Sequence, residues 1–150
     1  MNDQDLTRVL FCTDFSENAS EAFEFALDAV SKRPGCKLFI LHVMPEPDAQ
    51  FWKGYLYDEG NDLENSAKEA LRCKVEKEYV PRIPEGVDYE SVFLTGGAAP
   101  QILDFIKANE IGLAVIGRQG ESALRSVFFG NVATKVVRHA SCPVLVVPSR

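Results

Sequence analysis

The sequence has no apolar run long enough to cross a membrane and no excess of positive charge. Its 150 residues include 16 lysines and arginines against 22 aspartates and glutamates, which gives a net charge of −6 at neutral pH. No apolar stretch approaches the roughly 20 residues that span a bilayer as a helix. Broad cationic contact with nucleic acid or anionic lipid is equally disfavoured by the charge. We therefore expect neither a membrane nor a nucleic acid as partner, and any anionic ligand must be held by local groups.

Clustered metal ligands are also missing. The chain has four cysteines without a CxxC pair and two isolated histidines. These residues are Cys12, Cys36, Cys73, Cys142, His42 and His139. Zinc needs clustered ligands, and a reactive thiol needs charged and partly open surroundings. We expect reduced thiols and no catalytic histidine. The polar amino terminus lacks the features of a secretory signal, so we also expect a cytoplasmic protein.

Length and composition predict one domain over residues 1–150. The chain is 46% hydrophobic and 25% charged, close to the average of globular proteins. Five β-like runs alternate with four helical stretches, and the first, fourth and fifth runs are nearly continuous in aliphatic residues. The runs are Arg8–Thr13, Leu38–Val43, Tyr89–Thr95, Leu113–Ile116 and Val144–Val147. Such runs are typical of parallel strands covered on both faces, so the sequence predicts an α/β fold built from crossover units.

The predicted helices each carry an apolar stripe. The first follows the N-cap candidate Ser16, the second starts near Asp62, the third begins at Pro100, and the last runs from about Asn131 to His139. Between the second strand and second helix, Pro45–Asn61 is an aromatic stretch without clear period. A loop of this length is usually functional or mobile, and we leave open whether it packs on its own scaffold or contacts a ligand.

Three spaced glycines follow the fourth strand. Two residues separate Gly117 from Gly120, and nine further residues lead to Gly130, beside Asn131 at the expected start of the last helix. Glycines let backbone N–H groups approach a ligand, and a helix N-terminus offers unpaired donors, so the segment predicts a phosphate cradle. It matches neither the P-loop nor the dinucleotide-binding pattern.

With these residues the chain resembles the universal stress protein family. The pattern G-2x-G-9x-G-[S/T] of its ATP-binding members is matched at the three glycines, with Asn131 in place of Ser or Thr. The similarity extends to Thr13–Ser16, Leu41–Val43 and Cys142–Val147. The resemblance implies a single-domain, three-layer, Rossmann-like fold of the adenine nucleotide alpha hydrolase-like kind. Its five-stranded parallel sheet would have the order 3-2-1-4-5, with a nucleotide across the carboxyl edge.

The resemblance also implies a set of binding residues. Thr13, Asp14 and Val43 would surround adenine and ribose, while Gly117, Gly120, Gly130, Asn131 and Val132 would hold the phosphates. Arg118 and Arg125 flank the cradle, and they either neutralise phosphate charge or are simply solvated. Two further alternatives stay open. Asn131 either donates to phosphate or caps the last helix, and Asp14 either contacts the ribose or Mg²⁺ or caps its own turn.

The function implied is that of a cytoplasmic stress protein in which bound ATP, with or without Mg²⁺, biases conformation or partners. No dedicated base is found near the cradle, so we expect no enzyme beyond slow ATP hydrolysis. The alternatives are a dimeric interaction module that binds no nucleotide and a flavodoxin-like electron carrier. In the implied strand order, Val144–Val147 is an aliphatic edge strand, and pairing with its copy in a second subunit would give a homodimer.

Overall fold

The computed structural model describes residues 6–45, 60–118 and 126–150, with the backbone alone described for 60–64 and 126–130. Five strands in this part of the chain form one parallel sheet in the order β3-β2-β1-β4-β5. The strands are β1 Arg8–Cys12, β2 Lys37–Met44, β3 Asp88–Thr95, β4 Leu113–Gly117 and β5 Val144–Val147. The helices are α1 Glu17–Ser31, α2 Gly60–Glu78, α3 Ala98–Ala108 and α4 Ser126–His139, with a 3₁₀ turn at Val80–Arg82. The predicted fold and strand order are confirmed.

The central strand β1 is buried on both faces. Val9 and Phe11 pack with α1 and the end of α2, whereas Leu10 packs on the opposite face with α3 and α4. Successive side chains of a strand point to opposite faces, so a strand covered on both sides must be apolar throughout. This explains the continuous aliphatic runs and gives three layers.

Helix α1 begins where the sequence predicts. Ser16 is its N-cap, and the Ser16 hydroxyl accepts a hydrogen bond from the Ala19 amide at 3.1 Å. Helix α3 begins at Ala98, two residues before the predicted start, so Pro100 lies in the first turn. A proline is tolerated there because first-turn amides have no partner within the helix. No helix in the described part of the chain is both long and apolar enough to cross a membrane.

The prediction for the last helix is wrong at its start. Helix α4 begins at Ser126, five residues earlier, and Gly130 and Asn131 lie inside it. The pair looked like a helix start because glycine and asparagine favour helix ends. A single internal glycine costs only about 1 kcal/mol, however, so it need not end a helix. The stretch predicted as a loop over Pro45–Asn61 lies mostly outside the described residues, and its last two residues belong to α2.

Candidate nucleotide-binding site

The candidate site lies where the chain leaves β1 and β4 at the carboxyl edge of the sheet. These strands are neighbours, yet α1 follows β1 on one face and α4 follows β4 on the other. Crossovers that diverge in this way open a crevice, which is the usual ligand site of an open parallel sheet. Thr13, Asp14, Val43, Gly117 and Arg118 lie at this edge, where their strands end.

The β1–α1 loop is held by its own hydrogen bonds. The Thr13 amide donates to the Leu41 carbonyl at 2.9 Å, and the Thr13 hydroxyl accepts from the Phe15 amide at 2.9 Å. The same hydroxyl is hydrogen-bonded to the hydroxyl of Tyr79. Nδ1 of His42 lies 2.8 Å from the Thr13 carbonyl oxygen. A carbonyl only accepts, so this nitrogen carries the proton. Every polar atom of Thr13 therefore has a protein partner.

Asp14 takes the turn-capping role that the sequence left open. Its Oδ1 accepts a hydrogen bond from the Ser16 amide at 3.0 Å, which is an Asx turn leading into α1. A single carboxylate oxygen fulfils this contact. The turn therefore orients the Asp14 carboxylate at the end of β1.

Phe15 has a backbone conformation that is rare for a bulky residue. Its φ of 64° lies in the left-handed region, which costs of order 1–3 kcal/mol. The ring is fixed by its neighbours. It lies 4.9 Å from the His42 ring and 6.0 Å from the Tyr79 ring between centroids, with Lys74 Nζ 4.7 Å above it. These contacts and the hydrogen bond to Thr13 offset the backbone cost.

Tyr79 is the structural support that sequence reasoning missed. The residue follows α2 and is almost completely buried, with its ring against Phe11 and Phe23. Burial, opposed in part by the hydrogen bond to Thr13, raises the pKa of Tyr79 to about 12. The phenol is therefore neutral at physiological pH and available as a hydrogen-bond donor. The only signal in the sequence was its place at the end of an apolar stripe in the second helix.

Gly117 ends β4 under the first turn of α1. A Cβ atom on Gly117 would lie 3.0 Å from Cγ and Oδ1 of Asn18 and 3.2 Å from the Asn18 carbonyl carbon. Glycine at this position therefore allows helix α1 to pack closely on the strand, whatever it contributes to a ligand. Beyond it, the Arg118 amide donates to the Val147 carbonyl at 2.8 Å, which ties the start of the glycine-containing segment to β5.

The remaining predicted phosphate contacts are described only in part. Gly120 and Arg125 lie outside the described residues. Gly130 and Asn131 are in the second turn of α4, so Asn131 does not cap that helix, and Val132 follows half-buried. The helix N-terminus that we expected at Asn131 lies at Ser126. The structure thus brings Thr13, Asp14 and Val43, the residues predicted to surround adenine and ribose, to the same edge of the sheet as the end of β4. It places the start of the last helix at Ser126 and not at Asn131.

A shallow groove lies beside the site, between α4 and β5. It encloses about 450 Å³ and has mainly apolar walls with two arginines. The lining residues are Arg118, Ala133, Thr134, Val137, Arg138 and Val146. Arg118 therefore belongs both to this groove and to the start of the glycine-containing segment.

No disulfide joins the four cysteines, all of which are among the described residues. Cys12 and Cys36 are buried, Cys142 is half-buried and Cys73 is exposed. Burial, with a smaller effect of the neighbouring Cys142, raises the pKa of Cys12 to about 12, so its thiol is unreactive. Within the described ranges, no group of three His, Cys, Asp or Glu side chains is placed to hold a metal ion.

Comparisons of the sequence and of the structure with known proteins all find universal stress proteins. The model of the universal stress protein family matches residues 6–148. Universal stress protein YxiE of Bacillus subtilis is 28% identical over 145 residues, covering 93% of this chain and 97% of that protein. Universal stress protein Sll1388 of Synechocystis is 26% identical over 149 residues, covering 93% of this chain and 96% of that protein. The structure of UspA from Lactobacillus plantarum superposes with a TM-score of 0.73 at 25% identity, covering 95% and 97%.

Two similar structures contain an adenine nucleotide. One is a universal stress protein in complex with cAMP, with a TM-score of 0.65 at 22% identity over 94% of this chain and 96% of that one. The other is a universal stress protein family protein from Arabidopsis thaliana with AMP bound, with a TM-score of 0.57 at 20% identity over 96% and 92%. At these identities the likeness establishes the fold alone.

Proposed function

The chain belongs to the universal stress protein family, and on that premise we propose that it binds an adenine nucleotide, ATP in particular, at the carboxyl edge between β1 and β4. The observation that carries the proposal is the meeting of the Thr13–Ser16 turn with the Gly117–Arg118 strand end at the point where the crossovers diverge. The relatives with cAMP and AMP bound support the same ligand class.

The nucleoside half of the proposed site is formed by the ends of β1 and β2. The polar atoms of Thr13 are bonded within the protein, so Thr13 contributes shape to the adenine pocket, together with Val43. Asp14 is assigned to the ribose hydroxyls, which would donate hydrogen bonds to its carboxylate. We give Mg²⁺ no protein site of its own, because the described residues form no ligand cluster. It would accompany the phosphates, and Asp14 is the carboxylate assigned to the site.

The phosphate half must overcome a net charge of −6. We assign it to backbone amides of the glycine-containing segment and to the Arg118 guanidinium. The amides come from the segment that starts at Gly117 and Arg118 and includes Gly120. The amides of Gly130, Asn131 and Val132 lie inside α4, where they bond to carbonyls four residues earlier, so these three residues are assigned to the wall of the phosphate site and not to its backbone amide donors. Asn131 is an exposed residue of α4, and its carboxamide would donate to phosphate rather than cap the helix. Amides and one cation act over a short range, so the total charge does not prevent binding.

The proposed role is that of a cytoplasmic regulatory switch rather than an efficient enzyme. A ligand that contacts both halves of the site stabilises the arrangement in which they are held together, and it shifts the population toward that state. Slow ATP hydrolysis is compatible with this role. The residues assigned here bind and orient the nucleotide, and none is assigned as a base that activates water.

A homodimer through β5 is the second part of the proposal. Among the strands of the described residues, β5 is at the edge of the sheet and pairs only with β4. Leu145 on the strand is 39% exposed, and Val137 of the neighbouring helix is 53% exposed. An uncovered aliphatic edge favours aggregation, and pairing two copies of β5 about a two-fold axis removes it. Sedimentation at micromolar concentration is expected to give a dimer, and a monomer would reject this part. A dimer without nucleotide affinity would instead favour the interaction-module alternative.

Thermal unfolding of nucleotide-stripped protein with and without ATP tests the binding proposal. At a ligand concentration of 100 times Kd, binding stabilises the native state by about 2.7 kcal/mol. The Arg118→Ala variant is expected to weaken ATP binding about tenfold, because a charged hydrogen bond is worth about 1.5–3 kcal/mol. Arg138→Ala removes the same charge from the same groove and serves as the matched control. Equal effects of both variants would reject the assignment of Arg118.

A further inference from the structure

We infer that Asn18 is a positioning residue for the phosphate half of the site, an inference that rests on the proposed nucleotide binding. Its side chain lies in the first turn of α1 and is only 4% exposed. There it contacts the last residues of β4 and β5, at the point where the glycine-containing segment leaves the sheet.

A single carboxamide makes these contacts. Nδ2 of Asn18 donates to the Val147 carbonyl at 3.1 Å. The Val147 carbonyl oxygen also accepts a hydrogen bond from the Arg118 amide at 2.8 Å. On its other side, the carboxamide lies against Gly117 so closely that a Cβ there would come within 3.0 Å of Cγ and Oδ1. The first turn of α1 is therefore anchored to both strand ends through one side chain.

A buried asparagine at this position of the helix is less favourable for stability than an alanine, so packing alone does not explain its presence. The neighbouring buried positions of the same helix include Ala19 and Ala22, and alanine forms helices better than asparagine. A buried carboxamide is unfavourable unless it is hydrogen-bonded. The bond to the Val147 oxygen offsets that cost, and it adds a directional contact that alanine cannot make. The structural consequence specific to asparagine is thus a fixed end of β5 and, through the shared oxygen, a fixed Arg118 amide.

The anchor joins the two halves of the proposed site. Helix α1 begins directly after the Thr13–Ser16 turn, whose geometry depends on Tyr79 and on the Asp14 cap. None of those bonds involves Asn18. Loss of the Asn18 anchor therefore leaves the nucleoside half in place and loosens the start of the phosphate half. The ordering of the Gly117–Arg118 strand end must then be supplied on binding, which weakens the contribution of the phosphates.

The test compares ATP with AMP on the full chain stripped of nucleotide. In Asn18→Ala, the Kd for ATP is expected to rise about three- to tenfold, which corresponds to the loss of one hydrogen bond. The Kd for AMP should change by less than about twofold on the same scale. Asn18→Asp keeps the volume and replaces the donor by an oxygen, so it should show the same split. Val30→Ala, a buried truncation in the last turn of α1, controls for general destabilisation and should leave both constants unchanged.

Hydrogen exchange supplies a readout without any ligand. In the free Asn18→Ala protein, the Arg118 amide should exchange faster than in the wild type, while amides in the middle of β1 should keep their protection. An unchanged Arg118 amide, or an unchanged ratio of ATP to AMP affinity in the folded variants, overturns the inference and leaves the proposed function intact. Failure of the wild type to bind either nucleotide overturns both.

Discussion

Substitution of Gly117 by alanine tests the packing of the site without any ligand. No positive φ is found at this residue, so its backbone conformation is open to alanine and the penalty is steric. The new Cβ would meet Cγ and Oδ1 of Asn18 at 3.0 Å and the Asn18 carbonyl carbon at 3.2 Å. These atoms cannot easily move away, because they belong to the helix backbone and to a carboxamide bonded to Val147.

Two opposing effects determine how much Gly117→Ala changes the free energy of unfolding. Overpacking of a buried position costs about 1–3 kcal/mol. Alanine also restricts the unfolded chain, which stabilises the protein by about 0.4–1 kcal/mol. The steric term is the larger, so Gly117→Ala should lower the free energy of unfolding by about 1–2 kcal/mol. With a urea m-value of about 2 kcal/mol per molar, the unfolding midpoint should fall by about 0.5–1 M.

Equilibrium urea unfolding measures this change, and a double-mutant cycle supplies the control. Asn18→Ala removes the side-chain part of the clash, so the double variant should be less destabilised than the sum of the single variants. A midpoint of Gly117→Ala equal to that of the wild type would refute the reasoning. Strictly additive losses would show that the two residues do not interact as described.

The remaining predictions concern the support of the β1–α1 turn. Tyr79→Phe removes the hydrogen bond to Thr13 and should cost about 0.5–1.5 kcal/mol in urea unfolding. The control Tyr89→Phe, at a residue 39% exposed on β3, should be nearly neutral. The raised pKa of Tyr79, about 12 against 10 in the unfolded chain, favours the neutral phenol in the native state. Its stabilisation is complete below pH 10 and lost as pH rises toward 12, so the wild type should lose more stability than Tyr79→Phe in that window. Parallel pH curves for the two proteins would contradict this.

The parts of the fold that could be predicted from sequence are those with a local signal. The run Val9–Phe11 is apolar at every position because both faces of β1 are covered, and Ser16 caps α1 through its own side chain. The strand order followed from the family resemblance. Each of these features depends on residues close together in the chain or on a shared pattern.

The supports of the site could not be predicted in the same way. Tyr79 and Thr13 are 66 positions apart, and Asn18 and Val147 are 129 apart. Neither pair carries a periodic or spacing signal, since the contacts arise only when the sheet is assembled. The start of α4 was mispredicted for a different reason. Gly130 and its neighbour have end-favouring propensities, which are weak enough for an existing helix to override.

Calorimetric titration of ATP into the nucleotide-stripped protein, with Mg²⁺ present, tests the central claim most directly. We predict saturable binding of one ATP per chain, because each chain has one junction between β1 and β4. If the folded protein gives no saturable heat of binding at millimolar ATP, the account is contradicted.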